Sequence, residues 1–583
     1  MRGRLVPLIV PLLLGAALAQ EIAEPGKVRA EPSTFHCLAV RWPVKGDLDQ
    51  DATVAVRYRR LVAHQAGDPN APKWREAMPL FRPYPAKMSR ENRVPGGSLF
   101  AGSIVGLTPG TDYEVALSLT DPDGGSATRT LTMRTAAEPA ELAAMRTRHV
   151  VPDPGGQGGG TGTRDDPFRG IASAHAAAKP RDLFLLHKGV YLKGTWKVTK
   201  FGTPQEPIIW RGAGDGEAIL DGGGGEGRLI DANNIHHVWF EDLTLRGRHY
   251  LFVGHNGHHV VIRRCRFLIS RVGFTAINGG YSQSQGTVIT DSTFAGPCTW
   301  PRTQGIESHH GIHITGSGHV IAYNRFSGLA DAVHGTMHGR LSASDFHNNE
   351  ISECTDDGLE TDQADTNVRV FANRITNCWE GISGQPVNGG PVYVFRNAIY
   401  NVDYSPFKLH NHTAGMLLFH NTCLKAGYPF HIQPATETVN DIVTRNNLFI
   451  GTRGPSLRST GRMTRCDFDG DGYSRHPGPF ALWNRRTYKT VKDAMASGNL
   501  YNEHGAVFVD PATCFASGLH APADVKVRQP IAANDLRLAK NSDAIDKGVV
   551  LPGFNDGFAG KAPDLGCYEL GQPLPHYGPR PRK

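Results

Sequence analysis

Two patterns of apolar and polar positions divide the chain. Between residues 26 and 137, apolar residues alternate with polar ones in short runs: Leu38, Val40 and Trp42; Val54, Val56 and Tyr58; Tyr113, Val115, Leu117 and Leu119. Period-two alternation interrupted by Pro, Gly and Asp turns predicts short β-strands with one buried face each, the pattern of a sandwich. From Val238 onward a single phrase returns at 260–267, 320–326, 368–375 and 392–399, in which β-branched residues lead into a polar pair and close on an apolar one. Asn349, Asn373, Asn397 and Asn421 stand 24 residues apart, with Asn324 25 residues before them and Asn447 26 after. One asparagine per period in the low twenties predicts a solenoid. Its turns are too short and glycine-rich for the helical half of a leucine-rich repeat, so the coils are expected to be all β and stacked about 4.8 Å apart. Stacked asparagines can then form an internal ladder in which each amide satisfies the next. Cys354 and Cys378 share the 24-residue spacing and are expected to stack as buried thiols.

This pattern gives a domain plan: a leader at 1–19, a sandwich at 20–137, a linker at 138–147, a β-solenoid at 148–455, and further coils with a closing segment at 456–583. The glycine-rich stretch 155–160 precedes an amphipathic run in which Phe168, Ile171 and Ala174 share a face, expected to cap the solenoid. The segments around Ala544-Ile545-Asp546 and Asp564-Leu565-Gly566-Cys567 are expected to pack over the last coils.

Two resemblances follow. Leu107-Thr108-Pro109-Gly110-Thr111-Asp112-Tyr113 resembles the tyrosine corner of fibronectin type III modules, with Trp42 at the place of their early core tryptophan. That likeness implies a spacer or docking role for the first 110 residues or so. The asparagine-punctuated coils, the cap near Phe168 and the strand Leu183-Phe184-Leu185-Leu186 followed by Gly189-Val190-Tyr191 resemble right-handed parallel β-helix proteins of the pectate lyase superfamily. Fold alone does not give the reaction.

Composition narrows the class. Apolar residues make up 39% of the 583 residues, which excludes disorder as the main state, and 68 glycines with 39 prolines exclude a helical bundle. Arg2 and Arg4 precede an apolar run closed by Ala17-Leu18-Ala19, the form of a cleaved export signal and too short to span a membrane. Without that leader, 60 basic and 55 acidic residues remain, an excess too small to indicate nucleic acid. Nine scattered cysteines without a CxxC spacing exclude a zinc ribbon and a dense disulfide scaffold. The expected protein is exported, free of membrane spans and monomeric.

The candidate chemistry comes from aligning the second strand of each coil on the inward positions Val333, Leu359, Ile382, Phe407 and Phe430. Their neighbours point outward: His334, Glu360, Ser383, Lys408 and His431, with His313 one coil earlier. Two residues on, the same face is expected to continue as Thr336, Asp362, Gln385, His410 and Gln433. Glu360 and Asp362 would emerge about 6.6 Å apart, within reach of one Ca²⁺ that Asp356 or Asp357 could help enclose. The likeness to polysaccharide lyases implies that Glu360, Asp362, Asp357 and Asp356 bind Ca²⁺ and that Lys408 abstracts the proton next to a uronate. His334, His410 or His431 would then bind substrate or donate a proton, and His313, Ser383, Gln385 and Gln433 would contact the sugar. The same carboxylates also fit an inverting glycoside hydrolase, which separates its pair by about 6.5–9.5 Å. A purely polysaccharide-binding surface is a third reading. The His-rich stretch that includes His309, His310 and His313 is a further metal candidate. Asp467, Asp469 and Asp471 resemble a DxDxDG calcium loop without its closing glutamate, a structural metal site or a plain turn.

Overall fold

The computed structural model describes residues 21–582, apart from residues 63–71, 91, 272–274, 280–282, 303–308, 336–338, 433–436, 498–504 and 534. The leader expected at 1–19 lies outside the described residues. The chain forms two compact units, one built on the residues up to 138 together with 389–391 and 551–556, the other on the remainder.

The first unit is a β-sandwich of two antiparallel sheets. In one, strand Leu38–Lys45 pairs with Gly97–Ile104 and with the short edges Glu24–Pro25 and Arg29–Ala30. In the other, the order is Arg75–Ala77, Thr53–Arg60, Asp112–Thr120, Ala127–Arg134. Val54, Val56 and Tyr58 point inward while Thr53, Ala55 and Arg57 stay exposed, as period-two alternation requires. Trp42 is fully buried and its indole donates to the Gly26 carbonyl at 3.0 Å. The Tyr113 hydroxyl accepts the Thr108 amide at 3.0 Å, closing the corner that the local motif implies.

The second unit is a right-handed parallel β-helix. One long sheet starts with Arg146–Val151, Asp182–Leu186 and Ile208–Gly212; the other runs from Gly189–Tyr191 through Glu350–Glu360 and Arg374–Gly384 to Ala506–Val509. Helix Gly170–Ala177 buries Ile171 and Ala174 beside Phe168 and covers the first coils. Inside, Phe267, Phe294 and Phe326 stack ring on ring at 4.7 and 4.6 Å, and the column continues in register through Ile351, Ile375, Ile399 and Cys423. Cys354 and Cys378 are register partners and stand as fully buried free thiols.

The asparagine column forms an unbroken ladder. Asn324, Asn349, Asn373, Asn397, Asn421 and Asn447 are all fully buried. Each donates both its backbone N–H and its Nδ2 to the Oδ1 of the next, at 2.8–3.1 Å, and the last donates to Asp471. The second proton of each Nδ2 goes to a backbone carbonyl, Val370 in the case of Asn397.

The closing segments pack on the late coils: Ala544 and Leu565 share a cluster with Leu448, Ile450 and Val509, and Leu565 also lies against Gly472. Leu565 and Cys567 pack beside Leu424 and Leu448 on the flank, with the Cys567 amide donating to the Thr422 hydroxyl at 2.9 Å. The tail then runs back to earlier coils, where Arg580 pairs with Asp291 at 2.9 Å and Arg582 with Asp242.

Asn397→Ala leaves two donors on Asn373 and the Oδ1 of Asn421 in a different environment with nothing to fill the gap. The expected loss is about 3 kcal/mol or more, read as a lowered thermal midpoint by near-ultraviolet circular dichroism; an unchanged midpoint would show that the ladder is not needed.

Candidate active site

The inward positions Val333, Leu359, Ile382 and Phe407 are successive register partners and all are buried. Their outward neighbours therefore form one column across five coils: His313, His334, Glu360, Ser383 and Lys408. His431 follows in strand Phe430–Ile432. A second column stands three residues upstream, His310, Asp331, Asp357 and Glu380, with His310 opposite Asp331 and Asp357 opposite Glu380. Simple alternation would turn residues three apart to opposite faces. Contacts between the columns, His334 with Asp331 and Lys408 with Asp357, nevertheless bring both to one side.

The face does not continue as strand two residues further on. Strand Glu350–Glu360 ends at Glu360, Arg374–Gly384 at Gly384 and Phe407–Leu409 at Leu409. Asp362 and Gln385 lie in turns, and His410 just precedes one, because each coil must change direction there; Gln363, Asn411 and His412 take positive φ. Thr336 and Gln433 lie outside the described residues.

At one end of the columns Lys408 is surrounded by acid. Its Nζ is 2.7 Å from Asp357, 3.4 Å from Glu380 and 3.8 Å from Asp356. Burial disfavours the ammonium, but Asp357, Glu380 and Asp356 outweigh it and hold the Lys408 pKa above its ordinary value. Burial, followed by the charge on Asp357, pushes Glu380 up to about 9 and Asp356 up to about 7. Burial also raises Asp357, against the pull of Lys408. One oxygen each of Asp357 and Glu380 is buried without a hydrogen-bond partner.

At the other end imidazoles gather around Asp331. Its Oδ2 lies 2.8 Å from the Nδ1 of His310 and 3.3 Å from the Nδ1 of His334, which is also 2.5 Å from Glu360. Burial disfavours charge on His334, yet Asp331 raises its pKa; burial, then His310 and His334, lower that of His313 to about 2. Burial, then Asp362 and Asp331, raise Glu360 well above the usual carboxylate range.

The four carboxylates expected to form one calcium cage are neighbours that also take different partners. Asp356 and Asp357 face the Lys408 ammonium, and Glu360 faces His334. Asp362 accepts the Ser383 hydroxyl and the Gln385 amide, both at 2.8 Å. Asp331, Asp356 and Asp357 nonetheless each bring one oxygen within 4.8 Å of the others. Asp467, Asp469 and Asp471 do not converge: Asp467 pairs with Arg445 at 2.5 Å, and Asp471 accepts from Asn447 as the last rung of the ladder.

Four site residues were not picked from the sequence as members of the columns: Asp331, Glu380, Trp379 and Tyr404. The signal for the first two is the acid recurring three positions before His334, Glu360 and Ser383. Trp379 and Tyr404 are half-buried and stack parallel at 5.8 Å, one coil apart. Arg302 lies 3.8 Å above Trp379. Beyond Tyr404 come His431 at 5.4 Å and Tyr428, with Arg453 and Arg458 over the Tyr428 ring. Burial, then Arg458, Lys425 and Arg453, lower the His431 pKa to about 4, so it is neutral at pH 7.

The fold and this face define a β-helix protein with an N-terminal sandwich. Residues 281–471 match the family model described as right handed beta helix region, and no curated protein matches the chain. Similar solved structures include the complex of XylC with xylose, at TM-score 0.46 and 11% identity over 73% of this chain and 98% of that one. An alginate lyase from Paenibacillus sp. str. FPU-7 matches at TM-score 0.32 and 18% identity, over 50% and 94% of the two chains. The Family 28 exopolygalacturonase of Yersinia enterocolitica matches at TM-score 0.25 and 11% identity, over 76% and 96%. Likeness at this level says nothing about chemistry, which rests on the side chains described above.

Burial raises the pKa of Asp471 from an ordinary 3.8 to about 7. The folded state therefore holds a proton that the unfolded state has lost between those values, and this group's contribution makes stability fall as pH rises from about 4 to 7, by up to about 1.4 kcal/mol per unit. Asp471→Asn keeps an acceptor for Asn447 and removes that slope. The stability of the variant relative to the parent, from urea unfolding, is expected to rise across this range; a constant difference would contradict it.

Proposed function

We propose that this protein is an exported enzyme that hydrolyses a glycosidic bond in a polysaccharide with retention at the anomeric carbon. The observation that carries the reading is the Asp357–Glu380 pair. The two residues face each other across neighbouring coils, which stack at about 4.8 Å, and both reach the same ammonium. Retaining glycosidases hold their carboxyls about 5–5.5 Å apart, whereas inverting ones need about 6.5–9.5 Å for an intervening water.

The roles follow from the electrostatics. Glu380, with its pKa near 9, keeps its proton at neutral pH and serves as the acid for the leaving oxygen. Asp357, beside Lys408, is the carboxylate that attacks the anomeric carbon. Water then releases the sugar, giving its proton to Glu380 and its oxygen to the anomeric carbon. Lys408 is assigned the cation that favours the ionised Asp357, because three carboxylates hold it protonated; the β-elimination expected from the sequence would require it to act as a base. Trp379 directly precedes Glu380 and, with Tyr404, supplies aromatic faces on which sugar rings can stack. Arg302, Arg453 and Arg458 beside them favour an acidic sugar.

Incubation with a panel of neutral and uronate-containing polysaccharides is expected to release reducing ends without a rise in ultraviolet absorbance. Asp357→Asn and Glu380→Gln are each expected to lower kcat by about 10³-fold or more, and wild-type turnover to fall above pH 9 as Glu380 loses its proton. A conjugated, ultraviolet-absorbing product would replace hydrolysis by elimination. Binding on an affinity gel with no fragments released would reduce the face to a binding surface.

A further inference from the structure

Three imidazoles of the outward face meet at one point that the carboxylate pair does not use. His310 and His313 come from strand His310–Ile314, and His334 from the adjacent Asp331–His334. Their ring centroids form a nearly equilateral triangle with sides of 4.4, 4.5 and 4.6 Å. Each offers one nitrogen, and the three nitrogens lie within 4.8 Å of one another. The His313 Nε2 is buried and makes no hydrogen bond. The site stays open to one side, with 17% of the His310 side chain and 28% of that of His334 exposed.

We infer that His310, His313 and His334 bind a divalent transition-metal ion of the zinc class, with Asp331 as the carboxylate that orients two of the three rings. Imidazoles this close repel one another when protonated and leave nitrogens unsatisfied when neutral; a cation relieves both conditions. The donor set decides the metal. Three nitrogens suit Zn²⁺ and its neighbours, whereas Ca²⁺ and Mg²⁺ select oxygen. Asp331 supplies the second element of such sites. Metal-bound histidines commonly turn their other nitrogen to a carboxylate that fixes the ring, and the buried Asp331 sits beside the Nδ1 atoms of His310 and His334. Three protein ligands leave a coordination position on the open side for water or a sugar hydroxyl.

The inference is independent of sugar cleavage and is tested by metal binding alone. The full chain, without a polyhistidine tag and stripped with chelator, is titrated with Zn²⁺ by calorimetry and with Co²⁺ by visible absorption. The expected result is one Zn²⁺ per chain, visible Co²⁺ bands that Zn²⁺ abolishes, and no displacement by millimolar Ca²⁺. His313→Ala is expected to weaken Zn²⁺ binding by about 100-fold or more, and Asp331→Asn by about 10- to 100-fold. A variant at the exposed His576 should bind like the parent. Absence of stoichiometric Zn²⁺ binding by the parent overturns the site, whatever the folding of the variants. So does binding that survives His313→Ala unchanged in a variant with parental circular dichroism.

Discussion

The asparagine ladder is the interaction on which the β-helix depends. The residue before each rung, Tyr323, Asn348, Ala372, Arg396, His420 and Asn446, takes a left-handed conformation with φ between 50° and 59°. None is glycine, so each such corner costs roughly 1–2 kcal/mol. Each corner also turns the chain so sharply that a backbone N–H and a carbonyl face inward. The asparagine one coil later answers both groups, as Asn397 does for the Asn373 amide and the Val370 carbonyl, and donates to its own neighbour in the coil after. Strain and satisfaction are thus coupled from each turn to the next, and a coil that slipped by one residue would lose its rung and turn its inward row outward.

That fixed register made much of the site legible. The spacing of 24 residues located the rungs, and the inward apolar position of each second strand located the column His334, Glu360, Ser383 and Lys408. The rest was hidden for local reasons. Asp331 and Glu380 lie three residues from the outward column, where strict alternation counts them as inward, yet the structure brings both beside it. Asp362 and His410 failed in the opposite direction. Alternation was extended past the ends of strands that stop at Glu360 and Leu409, and the chain there is already turning. Period-two reasoning holds inside a strand and loses its authority within a residue or two of a corner. Asp471, read as part of an acidic loop, stands 24 residues after Asn447 and occupies the position of a seventh asparagine, which its different residue type concealed.

The charge balance of the face is unusual for a structural surface. Asp331, Asp356, Asp357, Glu360, Asp362 and Glu380 are all buried or nearly so, against one lysine and a cluster of imidazoles. Taking a carboxylate out of water is costly unless it is paired or protonated. Here burial and mutual repulsion raise several of the pKa values, so some of these groups keep protons at neutral pH while Lys408 stays charged. The same outward column in the coils before His313 reads Lys197, Asp231, Val253 and Asn278, with no such concentration of acid and imidazole. Groups with strongly displaced protonation concentrate where protons or cations are exchanged, and the face offers both in adjoining halves.

A β-helix also explains why so few residues suffice. Neighbouring strands lie about 4.8 Å apart whatever their sequence, so two carboxyls placed at equivalent positions of consecutive coils are set at a reactive distance by the backbone itself. Trp379 and Tyr404 obtain their parallel 5.8 Å separation in the same way. The distances that other folds assemble from several loops are inherited here from the hydrogen-bonded ladder. What remains for the side chains is the choice of chemistry at each level: imidazole at two coils, carboxylate at the next two, ammonium at the one after. The order along the axis places the nitrogen-rich end and the acidic pair next to each other, with Asp331 in contact with both through His334 on one side and the Asp357 amide, 2.9 Å away, on the other. A change at Asp331 would therefore reach both halves of the face, which makes this aspartate the point where the two chemistries are mechanically joined.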